Sequence, residues 1–173
     1  MIRHAIPFLA ALALALPAAA QTTDAAPADG AGAASPGDAM TAVERWQAAP
    51  ETVFDASEVD LADFVWVARP IVIFADSPQN PAFTQQMDLI RARQGELAIR
   101  DVLLVTDTDP GDPSAIRQQL RPRGFSITLI GKDGGVQLRK PFPWDVRELT
   151  RSIDKMPMRR QEMRARRDGD GSG

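Results

Sequence analysis

The segment PIVIFADSPQNP, residues 70–81, decides the fold that the sequence predicts. Its apolar first part, IVIFA, is rich in β-branched residues and is typical of a strand that is buried on both faces. The polar residues and prolines that follow have the composition of a turn. Phe83, Met87 and Ile90 then recur at the spacing of a helix. A buried strand, a turn and a helix in this order predict a parallel α/β sheet.

The rest of the chain continues this alternation. The helix after the first strand is predicted to end near Gln94, with Gly95 as its stop, and a strand follows at 102–105. The next helix is predicted to be capped by Asp112, with Pro113 as its first residue. Strands at 125–130 and 136–139 and a last helix with Asp145 in its first turn complete the prediction. The Asp-Gly and Gly-Gly pairs within 132–135 predict a hairpin, because they accept positive φ. With right-handed crossovers, the order β-α-β-α-β-β-α predicts a thioredoxin-like three-layer α/β/α sandwich around a mixed four-stranded sheet.

The N-terminal residues have the order of a secretory signal peptide. Arg3 and His4 give a short positive start, residues 5–16 are almost purely apolar, and three alanines at 18–20 form a cleavage site. The apolar run is shorter than the roughly 20 residues that a membrane-spanning helix needs. We therefore expect cleavage after Ala20 and a periplasmic or secreted protein that does not span a membrane.

Composition divides the chain into five parts. They are a signal peptide at 1–20, a disordered Ala-, Gly- and Pro-rich linker at 21–40, a helical lead-in at 41–60, the thioredoxin-like domain at 61–157, and a basic C-terminal helix and tail at 158–173. Residues 168–173 are expected to form a loose tail. In the lead-in, Thr41 and Glu44 have the spacing of a capping box, and Ser57 and Asp60 repeat it. Pro157 is expected to break or restart the last helix.

The residue types that the chain lacks exclude several kinds of chemistry. It has no cysteine, and its one histidine, His4, lies in the predicted signal peptide. Thiol–disulfide exchange is therefore impossible, and the sequence predicts no catalytic residue, no cofactor and no metal site of the zinc or copper type. The net charge of −3 argues against a nucleic-acid binder.

Three stretches of the chain resemble the domain of unknown function 4174 family. They are RPIVIF at 69–74, LIGKDGG at 129–135 and MPMRRQEM at 156–163. The resemblance extends over about residues 61–164 and implies a thioredoxin-like fold. The family also occurs as a module in animal extracellular-matrix-associated proteins with sushi repeats, and no activity is settled for it.

The resemblance also allows a comparison with thioredoxins. In those proteins the first core strand leads into a pair of cysteines, and here the same loop is residues 76–81. A cis-proline normally faces the cysteines before the third strand, and Ser126-Ile127-Thr128 takes its place here. Both halves of the redox site are therefore replaced.

The loop after the first core strand is one candidate binding site, and its residues are Asp76, Ser77, Gln79 and Asn80. It is predicted at the carboxyl end of a strand and the start of a helix, where backbone N–H groups favour anions. The alternative, which we favour, is a capped turn built from ordinary turn residues.

The basic C-terminal segment is the second candidate, with Arg159, Arg160 and Arg164 as a surface for an anionic polymer, a lipid surface or an acidic partner. The favoured alternative is a solvated helix end, where cations are stabilised by the helix dipole.

Asp107, Asp109 and Asp112 offer oxygens of the kind that bind Ca²⁺, but their spacing departs from that of an EF-hand loop. Turn and cap roles are the expected ones for these residues.

These observations lead to a non-enzymatic, exported module that binds an unknown envelope or extracellular protein or an anionic polymer. One alternative is an enzyme that uses carboxylates or backbone dipoles at the loop of Asp76. Another is an accessory protein that docks on a thiol oxidoreductase.

Overall fold

A computed structural model describes residues 40–170 of the chain, and the predicted signal peptide and linker up to residue 39 lie outside the described residues. The elements in chain order are α1 (Ala42–Ala48), β1 (Val53–Asp55), 3-10 turns at Ala56–Glu58 and Leu61–Phe64, β2 (Arg69–Phe74), α2 (Pro81–Arg91), α3 (Gln94–Ala98), β3 (Val102–Asp107), α4 (Ala115–Leu120), β4 (Ser126–Ile130), β5 (Val136–Lys140), α5 (Val146–Asp154) and α6 (Pro157–Asp170). Of the helices in this part of the chain, none combines the length and the apolar character that crossing a membrane requires.

The strands form one mixed sheet in the order β1-β3-β2-β4-β5. The first three of these strands run parallel, and β4 and β5 are antiparallel to their neighbours. In the centre, Ile71 of β2 lies between Leu104 of β3 and Leu129 of β4. This order and direction of strands is that of the thioredoxin-like fold, so the predicted fold class is confirmed.

The two faces of the sheet carry separate apolar layers. Ile71 and Ile73 face one layer with buried residues of α2, α3 and α5, while Val72 and Phe74 face the other with those of α1 and α4. Every residue of β2 is consequently buried, as its continuous apolar sequence predicts.

The predicted four-stranded sheet is wrong by one strand, because β1 adds a fifth at the edge beside β3. This strand has three residues, of which Val53 and Asp55 are exposed and Phe54 is buried. An alternation of three residues is too short to predict a strand. The other strand bounds differ from the prediction by one or two residues.

Two predicted helix ends are wrong. The helix after β2 ends at Arg91, and Gly95 lies inside the separate helix α3 instead of stopping α2. The backbone of Gly95 lacks the positive φ of a terminating glycine. The helix α4 is capped by Ser114 instead of Asp112, because the Ser114 hydroxyl accepts from the N–H of Arg117 at 3.0 Å.

The capping box of Thr41 and Glu44 is confirmed. The second predicted capping box, of Ser57 and Asp60, is wrong. Asp55 and Glu58 form a capping box instead, and Asp60 caps the following 3-10 turn without a box.

At the C-terminal end, Asp145 is the N-cap of α5, one position before the first turn in which it was predicted, and its side chain accepts from the N–H of Arg147. Pro157 begins a new helix, as the sequence also predicts. That helix continues to Asp170, so residues 168–170 are helical where a loose tail was expected. The predicted hairpin is confirmed between β4 and β5, with Gly134 at a φ of 77°.

Candidate functional site

The structure brings together the four residues of the predicted binding loop at the carboxyl end of β2, namely Asp76, Ser77, Gln79 and Asn80. The Asn80 side-chain oxygen accepts from the N–H groups of Ala82 and Phe83 at 2.9 and 3.3 Å. The N–H of Asn80 donates to the carbonyl of Ser77 at 3.2 Å. The loop is therefore a capped turn, in which Asn80 occupies the helix-start amides that an anion would use. Its role as a binding loop stays a prediction.

The strand β4, which pairs with β2, has two buried hydroxyls. Ser126 lies opposite Phe74, and Thr128 lies opposite Val72. Their hydroxyl oxygens are buried and meet no hydrogen-bond partner within residues 40–170. The same part of the chain contains no cis peptide bond. The segment that the sequence comparison sets against the cis-proline of thioredoxins thus carries two buried hydroxyls.

A buried ion pair lies at the carboxyl ends of β2 and β3. Arg117 donates from Nε to Asp107 Oδ1 at 2.8 Å, and from Nη2 to the carbonyls of Ala75 and Asp107 at 2.8 and 2.9 Å. Ser114 donates to the other carboxylate oxygen of Asp107 at 2.7 Å. Both oxygens of Asp107 are therefore engaged in holding α4 on the sheet. No group of three or more potential ligands within 40–170 is arranged to hold a metal ion.

The opposite end of the sheet contains a cluster of charges that sequence reasoning did not assemble. Arg69, at the start of β2, is 1% exposed. It donates from Nη1 to the carbonyl of Arg100 at 3.0 Å and from Nη2 to Glu162 Oε1 at 2.8 Å. Lys132 Nζ lies 2.9 Å from Asp101 Oδ2 and 3.2 Å from Glu162 Oε1. We call Arg69, Asp101, Lys132, Arg159 and Glu162 the Arg69 cluster.

Glu162 is the carboxylate on which this cluster converges. Burial of its carboxyl group works to raise the pKa. The hydrogen bonds and charges of Arg69 and Lys132 outweigh burial and hold the pKa of Glu162 below its ordinary value of 4.5. Glu162 is therefore ionised at neutral pH and fixes α6 to the sheet.

Arg159 is not part of an exposed surface, which corrects the prediction made for it. It is 5% exposed and donates to the carbonyl of Ile99 at 3.2 Å and to Glu162 Oε2 at 3.3 Å. The helical phase of α6 turns this residue toward the domain, whereas Arg160 and Arg164 are exposed.

The outward face of α6 carries Arg160, Arg164 and Arg167, which we call the α6 arginine row. Their spacing of four and three residues places them on one face of the helix. All three are exposed, and none has an ion pair or a side-chain hydrogen bond with another residue of the described part of the chain. The row is therefore a stripe of three exposed arginines on a chain of net charge −3.

One residue of the Arg69 cluster and one residue bonded to it have the left-handed backbone that residues other than glycine rarely adopt. They are Trp66, with φ of 67°, and Asp101, with φ of 54°. The N–H of Trp66 donates to the carbonyl of Lys132 at 2.6 Å, and its side chain is 65% exposed. Such backbone conformations concentrate at functional sites.

The Arg69 cluster joins the three stretches that carry the family resemblance. Arg69 opens the first stretch, Lys132 lies in the second, and Arg159 and Glu162 lie in the third. Their convergence could not be predicted without the fold. The available signal was that all three stretches contain charged residues beside apolar or glycine-rich segments.

The profile of the domain of unknown function (DUF4174) matches residues 60–162 of the chain. This range includes the first two stretches and all but the last residue of the third. Coiled-coil domain-containing protein 80 of Danio rerio is 29% identical, and the match covers 60% of this chain. The chain spans about 15% of the length of that curated relative.

The chain is also similar to solved structures with a thioredoxin fold. Thioredoxin peroxidase I of Plasmodium yoelii matches with a TM-score of 0.45 and 18% identity, over 56% of this chain and 76% of that one. The reduced 2-Cys peroxiredoxin of Plasmodium vivax matches with a TM-score of 0.46 and 16% identity, over 56% and 81%. Chloroplastic thioredoxin z matches with a TM-score of 0.44 and 20% identity, over 61% and 96%.

Proposed function

The chain belongs to the DUF4174 family, and we propose that it is an exported, non-redox module that binds an acidic envelope or extracellular partner through the α6 arginine row. The absence of cysteine excludes thiol chemistry. Export is supported by the charged start, apolar run and alanine-rich cleavage site of residues 1–20.

The observation that carries this proposal is the pairing state of the arginines on α6. Arg159 on the inner face is engaged by Glu162, while Arg160, Arg164 and Arg167 on the outer face have no partner within residues 40–170. A helix fixed on one side and cationic on the other presents its charges at set positions. An acidic partner gains these contacts with little cost of ordering the helix.

The chemistry of the row favours acidic groups on an extended partner. The guanidinium group pairs well with carboxylate and phosphate oxygens because it offers planar, paired donors. With a rise of 1.5 Å per residue, the row extends about 10 Å along the helix. An anionic polymer or an acidic protein segment matches that length. Because the charges are exposed, salt should weaken the binding.

Site-specific photo-crosslinking of the full chain in its native host tests the proposal. We expect a probe at Arg160 to capture one specific protein or polymer, and a probe at Asn80 to capture little. In solution, Arg160→Glu combined with Arg164→Glu should abolish binding to the captured partner. Arg123→Glu is the matched control, since Arg123 is another exposed arginine without a partner among the described residues. Equal loss in both variants, or capture at Asn80 alone, would contradict the role of the row.

A further inference from the structure

A cavity of about 230 Å³ lies between the β4–β5 turn and the start of α6. Two cationic side chains, Arg69 and Lys132, form part of its wall, and Met156 and Met158 form another part. It lies at the end of β2 opposite to the loop of Asp76, whereas open α/β sheets usually bind ligands at the carboxyl ends of their strands. The cavity does not involve the α6 arginine row, so a ligand in it would be bound independently of the proposed function.

The charges around this cavity are not balanced. Contacts within 4.0 Å connect five cationic side chains to three carboxylates, and these residues are Arg69, Arg100, Lys132, Arg159 and Arg166 with Asp101, Asp154 and Glu162. None of the three carboxylates lines the cavity, although two of the cations do. The cavity wall therefore contains two cationic side chains, Arg69 and Lys132, whose carboxylate partners Asp101 and Glu162 are not part of it.

One carboxylate outside the network, Asp133, does line the cavity. Its Oδ1 atom accepts from the N–H of Gly135 at 3.1 Å, which directs this oxygen toward its own turn. Among the charged side chains that line the cavity, two are therefore cationic and one is anionic. A single negative charge on a ligand would equalise these lining charges, and the attraction is strong where the cations are largely shielded from water.

Lys132 is the residue that can donate a hydrogen bond to a negatively charged ligand. An ammonium group has three donors, and Lys132 Nζ contacts two carboxylate oxygens, on Asp101 and Glu162. One donor direction remains. The side chain is 13% exposed, so a ligand contact there is largely shielded from water.

The remaining walls suit a small apolar body. Met156 and Met158 are both partly buried, and unbranched thioethers adapt to the shape of what they contact. The amides of Gln137 and Gln161 add hydrogen-bonding groups beside them. The volume is below the range of about 300–1,000 Å³ that is usual for drug-sized ligands. It matches a group of about the size of one amino-acid residue.

We propose that this cavity binds a carboxylate attached to a small apolar group, with the carboxylate at Lys132 and the apolar part against Met156 and Met158. Two sources share this chemistry, namely the C-terminal residue of a polypeptide and a small free acid. A neutral apolar molecule would make no contact with the remaining donor of Lys132. A multiply charged anion would exceed the single positive charge by which the lining cations outnumber the lining carboxylate.

Methyl NMR of the full chain, labelled at its methionines, tests this proposal. The probes are N-acetyl-leucine and its neutral analogue N-acetyl-leucinamide. We expect the acid at millimolar concentration to shift the methyl signals of Met156 and Met158, and the amide to shift them at least about tenfold less at the same concentration. The methyl signal of Met87, a buried residue of α2 in the core, should stay in place and reports on the fold.

Two variants locate the binding. Lys132→Gln should weaken binding of N-acetyl-leucine about tenfold or more. Gln161→Trp should also weaken the binding of N-acetyl-leucine, because the larger side chain fills the cavity while all charges are kept. This second variant tests the site even if Lys132→Gln fails to fold. Equal shifts by acid and amide, no shift at Met156 and Met158, or unchanged binding in Gln161→Trp would each overturn the proposal.

A peptide of four alanines followed by a C-terminal leucine distinguishes the two sources. If the peptide binds at least about tenfold more tightly than N-acetyl-leucine, the ligand is the end of a polypeptide, because the added backbone contributes contacts. If it binds equally or more weakly, the ligand is a small free acid. Both results support the carboxylate site, and they differ only in what supplies the carboxylate.

Discussion

Arg69 and Glu162 are 93 residues apart in sequence and are joined by a hydrogen bond of 2.8 Å between Nη2 and Oε1. The arginine is almost completely buried at the start of the central strand β2, and the glutamate belongs to the last helix. This bond explains why α6 is part of the domain although its composition is that of a charged tail. It also determines which face of α6 is exposed.

The first prediction concerns the stability that this bond provides. Glu162→Gln removes the carboxylate that faces Arg69, Lys132 and Arg159. Breaking a fully buried pair costs about 3–5 kcal/mol. Since Asp101 still lies 3.5 Å from Arg69, we expect a loss of about 2–3 kcal/mol in the free energy of unfolding. Urea unfolding of the full chain at neutral pH measures it.

Asp88→Asn is the matched control for this variant. It removes a carboxylate from an exposed ion pair with Arg91, at 3.1 Å and three residues apart on α2. Exposed pairs of this type contribute about 0.3–0.5 kcal/mol. A loss in Glu162→Gln as small as that in Asp88→Asn would mean that the Arg69 cluster does not hold α6.

The second prediction is an acid-sensitive stability. The pKa of Glu162 is lowered in the folded protein because contacts with Arg69 and Lys132 outweigh burial. The pKa of Asp154 is also lowered, mainly by the hydrogen bond from Arg100. A carboxyl group with a lowered folded pKa binds fewer protons when folded, so its stabilisation is complete above the ordinary value and is lost on acidification.

For Glu162, whose ordinary value is 4.5, stability should therefore be nearly constant from neutral pH down to about pH 5 and decline below that. The difference in urea midpoint between the unchanged chain and Glu162→Gln should be largest at neutral pH and shrink as the pH falls through the lowered pKa. A difference that does not change with pH would assign the effect to side-chain packing instead of charge.

The buried part of the fold could be predicted from the sequence, because the apolar pattern of a strand reports its burial directly. IVIFA predicts a strand buried on both faces, and all of β2 is buried. The pattern does not report pairing across the fold. Arg69 precedes this run and resembles an exposed flanking residue until Glu162 is placed beside it.

The same limit explains the errors at the candidate sites. Arg159 and Arg160 are adjacent and identical in type, and only the contact of α6 with the sheet makes one buried and the other exposed. The fifth strand cannot be predicted from the sequence, because its three residues contain a single buried side chain, Phe54. Its pairing with β3 depends on residues about 50 positions later.

The third prediction separates a capping role from a binding role in the loop after β2. Asn80→Ala removes the side-chain oxygen that accepts from Ala82 and Phe83, and should lower the free energy of unfolding by about 1 kcal/mol. Asn80→Asp should keep the cap and the stability. Gln79→Ala, at an exposed neighbour, should change stability by less than about 0.5 kcal/mol. If Asn80→Ala is as stable as the unchanged chain, the cap does not explain why asparagine stands there.

The last prediction concerns the buried hydroxyl of Thr128 in β4, which lies opposite Val72 of β2. Its Oγ1 atom meets no hydrogen-bond partner within residues 40–170, and the residue is 1% exposed. Leaving a buried polar group without a partner costs about 1–3 kcal/mol. Thr128→Val keeps the shape and suits a strand, so we expect it to raise the free energy of unfolding by about 1 kcal/mol. Thermal and urea unfolding both measure the gain.

Thr150→Val is the comparison, because Thr150 is also buried but donates to the carbonyl of Arg147 at 3.0 Å. This variant should lose about 0.5–1.5 kcal/mol through the broken hydrogen bond. A loss in Thr128→Val similar to that in Thr150→Val would show that the Thr128 hydroxyl has a partner in solution. A gain would mean that the chain keeps a destabilising hydroxyl inside the sheet. Such a cost is expected where a residue serves function instead of stability.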